Sequence, residues 1–144
     1  YIWDAPVRRV FDTLTAGYSL ATALHAPGLE EAFDVICQGN DVSDEAASRI
    51  DLMLYIRRFG DDLDNFWRRL VEIHEIDHVQ DGKPCGRQLF RWVEEGDGFE
   101  EVETPTFLQG DVGELERRRT KLDELVSTGQ RAPEDVARLV AEYK

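Results

Sequence analysis

The sequence predicts a mostly α single domain, in which a bundle of four helices is followed by a β-hairpin and two further helices. Apolar residues recur at spacings of three and four over most of residues 1–80, which is the period of an amphipathic helix. The period changes to alternation over about residues 88–104, where aromatic and β-branched residues flank a glycine-bearing stretch. A chain of 144 residues with 42% hydrophobic residues is long enough to bury one core.

The predicted bundle occupies residues 1–80. Capping residues, prolines and glycines divide this segment into four helices, over residues 5–25, 27–39, 41–59 and 61–79. Asp41 or Ser43 is expected to cap the third helix, and Gly60 to end it. Its centre, Ile50 to Ile56, is apolar around most of its circumference, which is typical of a helix that is contacted from several sides.

The predicted β-hairpin, within the segment 85–105, turns at Gly96-Asp97-Gly98. Phe90 and Trp92 are expected to share one face of it. A lone hairpin is only marginally stable in water, so these aromatic residues are expected to pack on the helices or on a partner. Trp92 and Phe90 are therefore the predicted interface residues.

Residues 111–144 are predicted to form a C-terminal helical hairpin. The first helix is expected to end near Ser127, and the second to begin at Pro133. The apolar stripes of both helices are narrow, which favours a partner as the surface that covers them.

The formal net charge of −13 limits the classes of partner. It disfavours general binding to the phosphates of DNA, for which a basic surface is needed. It suits basic partners or cations, and it keeps copies of the chain apart. The predicted partner, which the uncovered hairpin requires, is another protein or a second copy of the chain. No run of 18 apolar residues is present, so we expect no membrane-spanning segment and a cytoplasmic location, or a virion if the protein is viral. The excess of Arg over Lys points to a GC-rich bacterium or one of its viruses.

The segment His74-Glu75-Ile76-Asp77-His78 matches H-E-x-x-H, a metal-binding motif. On a helix, two histidines four residues apart lie on one face and reach a single metal ion. This segment resembles the motif of the zincin metallopeptidases. The resemblance implies that His74 and His78 bind zinc and that Glu75 is the general base on a metal-bound water. Four downstream glutamates are the candidates for a third ligand: Glu94, Glu95, Glu114 and Glu116.

The same histidines allow other hypotheses. Glu75 with His78 forms an E-x-x-H, which resembles the di-iron motif of ferritin-like bundles. His25 with His74 and His78 would form a three-histidine metal site, similar to the DinB-type metal-binding helical proteins. Arg69 with His74 resembles the R-x-x-x-x-H motif of the HEPN helical ribonucleases.

The leading functional prediction is a non-catalytic, acidic protein-interaction or assembly module, as in a subunit of a bacterial or viral complex. It rests on the absence of a complete catalytic set of residues, on the two-faced hairpin and on the thin terminal helices. No cofactor is expected under this hypothesis. The alternatives are a zinc-dependent hydrolase centred on Glu75, a helical metal-binding protein and a HEPN-like ribonuclease.

Overall fold

The computed structural model describes residues 4–60, 65–106, 112–129 and 132–141, and it shows an α+β fold. A four-stranded antiparallel sheet replaces the predicted helical bundle, so the mostly α fold class and the all-α description are wrong. The chain runs through α1 (Ala5–Thr15), α2 (Leu29–Phe33), a π-helix (Asp34–Gly39), α3 (Asp44–Ala47), β1 (Leu52–Phe59), β2 (Trp67–Gln80), β3 (Lys83–Val93), β4 (Gly98–Glu101), α4 (Val112–Ser127) and α5 (Pro133–Ala141).

The helices predicted over residues 41–59 and 61–79 are largely strands. Only Asp44–Ala47 is helical in the first of these segments, and Trp67–Gln80 is the longest strand of the sheet. Residues 61–64, where the predicted fourth helix begins, lie outside the described residues. Periodicity does not separate a short apolar run in a strand from one in a helix. Val71, Ile73, Ile76 and Val79 are β-branched, a signal that favours the strand.

The turn between β2 and β3 is formed by Asp81 and Gly82. Their φ angles are 53° and 72°, both in the left-handed region that a two-residue type I′ hairpin requires. Asp-Gly is a preferred dipeptide for this turn, so the sequence did carry a signal for the hairpin. The predicted hairpin at 88–104 corresponds to part of β3 and β4, which continue the same sheet.

The helices of the N-terminal half bury their apolar side chains against the sheet. Phe11 of α1, Phe33 of α2 and Ile36 of the π-helix are all buried. They form one cluster with Val42, Ala46, Ala47, Ile76 and Val79. The helix predicted over 5–25 ends at Thr15, because Gly17, with a φ of 90°, follows as a C-terminal stop.

Short polar contacts fix α3 against the β2–β3 turn. The carboxylate of Asp44 accepts hydrogen bonds from the backbone N–H groups of Asp81 and Gly82, at 2.7 and 3.0 Å. The hydroxyl of Ser48 accepts one from the N–H of Val79 at 2.8 Å. These bonds satisfy turn and strand groups that would otherwise need water, so they hold the helical layer in register with the sheet.

The chain divides into two compact units, Tyr1–Pro105 and Thr106–Lys144. In the second unit, α4 and α5 pack on each other with Leu125 and Leu139 half-buried. Other apolar side chains of these two helices stay exposed, namely Leu115, Leu122, Val126, Val136 and Val140. Among the described residues, no helix has the length and hydropathy needed to cross a membrane.

Candidate interaction surface

Three aromatic side chains, Phe59, Trp67 and Trp92, form a cluster where β1 ends and β2 begins. Phe59 and Trp67 are directly opposite each other in the β1–β2 register, and their rings stack with centroids 4.2 Å apart. The ring of Trp92, from the end of β3, lies 5.3 Å from that of Phe59 and 5.8 Å from that of Trp67. We call these three residues the aromatic cluster. It joins three strands at one end of the sheet through ring contacts.

Arginine side chains cover this cluster. The guanidinium carbon of Arg57 lies 4.5 Å from the ring centroid of Phe59, and that of Arg69 lies 5.2 Å from the ring of Trp67. Both distances are within the range of a cation–π contact. Arg57 and Arg69 are also opposite each other in the register, an unfavourable pairing of like charges.

Asp97, in the turn between β3 and β4, offsets this repulsion. Its carboxylate accepts two hydrogen bonds from Arg69, at 2.7 and 2.8 Å, and one from the indole N–H of Trp92, at 2.9 Å. The hydrogen bond from Arg69, then that from Trp92, lowers the pKa of Asp97 below its ordinary 3.8. The same pairing raises the pKa of Arg69. Asp97 thus connects the β3–β4 turn to the aromatic cluster through an ion pair with Arg69 and a hydrogen bond from Trp92.

A second group of arginines surrounds Phe66, which directly precedes β2. The guanidinium carbons of Arg58 and Arg68 lie 4.6 and 4.7 Å from its ring centroid, and Phe66 is 39% exposed. Arg58 and Arg68 are a cross-strand pair. Guanidinium groups therefore already contact the rings of Phe59, Phe66 and Trp67, an arrangement that competes with the stacking of nucleic acid bases on them.

One face of the sheet carries apolar side chains without cover on β1. Leu54 and Ile56, at alternate positions of β1, are 54% and 58% exposed. Leu54 is opposite Ile73, and Ile73 is in turn opposite Phe90, so the three form a row across β1, β2 and β3. Ile56 is opposite Leu70. We call these five residues, Leu54, Ile56, Leu70, Ile73 and Phe90, the open apolar face.

The predicted metal-binding histidines do not lie together on one face of a helix. His74 and His78 both lie on β2, where residues four apart are separated by about 13 Å along the strand. His74 is half-buried and its Nε2 lies 2.8 Å from a carboxylate oxygen of Glu72, whereas His78 is exposed. His25 is exposed in the segment between α1 and α2. The described residues contain no group of three His, Cys, Asp or Glu side chains placed to hold a metal ion.

Glu75, the predicted general base, is buried in the centre of the sheet with 1% exposure. An oxygen of its carboxylate lies 3.8 Å from the guanidinium of Arg87, which also donates to Asp77 at 2.6 Å. The zincin hypothesis requires His74 and His78 on one face of a helix, and their position on β2 does not provide that geometry. A zinc site therefore stays a prediction.

The two predicted interface residues lie close to the surface described above. Phe90 is half-buried in the open apolar face, and Trp92 is half-buried in the aromatic cluster. The sequence analysis missed Leu54, Ile56, Phe59 and Phe66. It assigned residues 41–59 to one helix and residues 61–79 to the next helix. The available signal was the residue type of Tyr55, Ile56 and Phe59, since aromatic and β-branched residues are enriched in strands.

The chain matches no model of a protein family and no curated protein.

Proposed function

We propose that the first unit is a protein-interaction or assembly module, and that its contact surface is the edge strand β1, with Leu54 and Ile56 of the open apolar face on one side of the sheet and the arginine-covered aromatic cluster on the other. The observation that supports this proposal is the exposure of Leu54 and Ile56, which are 54% and 58% exposed on an edge strand. The solvated face of an antiparallel sheet ordinarily carries polar residues. An apolar row in that position is typical of a surface that another protein covers.

The composition of the neighbouring residues supports the same function. Aromatic residues and arginine are enriched in the centres of protein interfaces, and they provide most of the residues whose truncation weakens binding. Phe59, Trp67 and Trp92 are already held together by ring contacts and by Asp97. A surface organised in this way loses little side-chain entropy when a partner binds.

Site-specific photo-crosslinking in cells of the source organism tests the proposal. A photoreactive phenylalanine derivative in place of Ile56 is expected to give discrete protein adducts, because that side chain lies at the proposed contact. The same derivative in place of Glu45, which is exposed on α3, is the matched control. With the derivative placed instead at Leu54, which neighbours Ile56 on the same face of β1, Ile56→Asp should remove the adducts while circular dichroism stays unchanged. Equal adducts from positions 45 and 56, or none from position 56, would contradict the proposed function.

A further inference from the structure

We propose that the partner on this surface is a second copy of the chain, joined head to tail, with the free edge of β4 in one copy paired to the free edge of β1 in the next. This inference rests on the proposed function and specifies its occupant. β1 and β4 are the two edges of the sheet. Within the described residues, neither strand has a backbone hydrogen bond to any segment on its outer side.

The two edges carry opposite charges. β1 contains Arg57 and Arg58 and no acidic residue. β4 itself contains Glu100 and Glu101 and no basic residue. The flanking sequence is acidic at both edges: Glu94, Glu95, Asp97 and Glu103 lie beside β4 in the sequence, and Asp51, Asp61, Asp62 and Asp64 lie beside β1. Asp97 and Glu100 are paired with arginines of their own unit, whereas Glu94, Glu95 and Glu101 form no ion pair within the described chain. An acidic edge is therefore available to a basic one.

The apolar residues of the two edges are also complementary. Leu54 and Ile56 are more than half exposed on β1, and Phe99 is 53% exposed on β4. Val102, just after β4, is 42% exposed. An edge-to-edge junction would place these side chains next to each other across the two copies, which removes part of their apolar surface from water.

Strand direction permits this junction. Four antiparallel strands in the order β1-β2-β3-β4 place the two edge strands in opposite directions. A copy displaced along the sheet therefore presents its β1 antiparallel to the β4 of its neighbour, with the helical layers on the same side. Such a contact is heterologous, so it produces a ring or an open filament and not a closed pair.

Charge also disfavours the competing junctions. Pairing β1 with β1 would place arginines near arginines, and pairing β4 with β4 would place glutamates near glutamates. Charged residues on edge strands commonly disfavour unwanted pairing, and here like charges disfavour the pairing of like edges. Because β4 has four residues, the junction is short and we expect weak association, with a dissociation constant between about 1 μM and 1 mM.

Analytical ultracentrifugation of the full chain at about 0.15 M salt tests this inference. The protein concentrations should span the expected dissociation constant, from about 1 μM to 1 mM. The mean mass of the wild type is expected to rise with concentration past twice the 16.5 kDa of one chain. Ile56→Glu, on the β1 edge, and Glu101→Lys, on the β4 edge, should each remain monomeric when alone. Their mixture should associate again, because the intact β4 edge of one variant meets the intact β1 edge of the other. Leu122→Glu, at a similarly exposed residue of α4, is the control and should behave as the wild type.

Three results would overturn the head-to-tail junction: a wild type that stays monomeric, a mass that stops at the dimer, or association of Glu101→Lys equal to the wild type. Circular dichroism of each variant separates loss of association from loss of folding. Crosslinks from position 56 to a different protein, together with a monomeric wild type, would retain the proposed function and exclude the second copy. Absence of both crosslinks and self-association would remove both proposals.

Discussion

At the scale of single residues, Asp97 contacts two strands of the sheet although it lies in an exposed turn. It adopts a φ of 48°, which Asp and Asn tolerate better than most residues. Its carboxylate bonds to both Arg69 and Trp92, which come from different strands. One side chain thus offsets the Arg57–Arg69 repulsion and fixes the position of an indole ring in the aromatic cluster.

We predict that Asp97→Asn makes the folded chain less sensitive to acid. Hydrogen bonds from Arg69 and then Trp92 hold the folded-state pKa of Asp97 below 3.8, and unfolding removes both partners. A lowered folded-state pKa contributes stability above the unfolded-state pKa, and this contribution is lost as the pH falls through the folded-state value. The variant should be less stable than the wild type at neutral pH, and the difference should shrink below pH 3.8.

Thermal melting between neutral pH and about pH 2 measures this effect, since that range includes the ordinary pKa of Asp. Asn retains the size of the side chain and tolerates the positive φ, but it has one acceptor oxygen in place of two, so the substitution removes the charge together with at least one of the hydrogen bonds that Asp97 accepts. Glu95→Gln in the same turn is the matched control. A difference between Asp97→Asn and wild type that is the same at every pH would show that the charge of Asp97 does not stabilise the fold.

At the scale of elements, the close pairing of β2 and β3 depends on Gly86. A Cβ atom at Gly86 would lie 2.0 Å from the carbonyl oxygen of Glu75 and 3.0 Å from the Cα of Ile76. These are backbone atoms of the paired strand, which have no rotamer to move away. The same region of β2 contains a register shift between Ile76 and His78. The absence of a side chain at Gly86 lets the two strands approach each other there.

We predict that Gly86→Ala lowers the free energy of unfolding by about 3 kcal/mol, because the strands must separate to admit a methyl group. Gly98→Ala is the matched control, since a Cβ at Gly98 meets no atom within 4 Å. The control should change stability by less than about 1 kcal/mol. Urea unfolding followed by tryptophan fluorescence measures both variants, and equal stability of the two would disprove the steric argument.

At the scale of the whole molecule, the buried core belongs to one unit. Every residue of the main apolar cluster lies between Phe11 and Val79. No residue of α5 is buried, and several large apolar side chains of α4 and α5 are more than half exposed. The first unit therefore contains the interactions expected of an independently folding domain.

We predict that a chain ending at Pro105 folds as residues 1–105 do in the full chain. Its near-ultraviolet circular dichroism should retain the tryptophan signal of the aromatic cluster. A peptide of residues 106–144 should be only partly helical in water, because short helices need tertiary packing for most of their stability. Loss of the tryptophan signal in the shortened chain would mean that the first unit requires the second.

The sequence by itself determined the features that depend on neighbours along the chain. Local residues favour helices where α4 and α5 lie, because Glu114 pairs with Arg117 and Arg118 within one helix and Pro133 opens the next. Composition set the net charge of −13. The alternation around Gly96-Asp97-Gly98 indicated extended strands there.

Only the tertiary structure decided the conformation of residues 44–60 and 65–80 and the location of the candidate surface. The apolar run of β1 has a helical and an extended interpretation, and pairing with β2 selects the extended one. Trp92 is 33 positions from Phe59 in the sequence, so no local pattern brings their rings to 5.3 Å. The same pairing placed Leu54 beside Ile73 and separated His74 from His78. Strand pairing is a contact between distant segments, and its free energy depends on neighbours that local sequence does not specify.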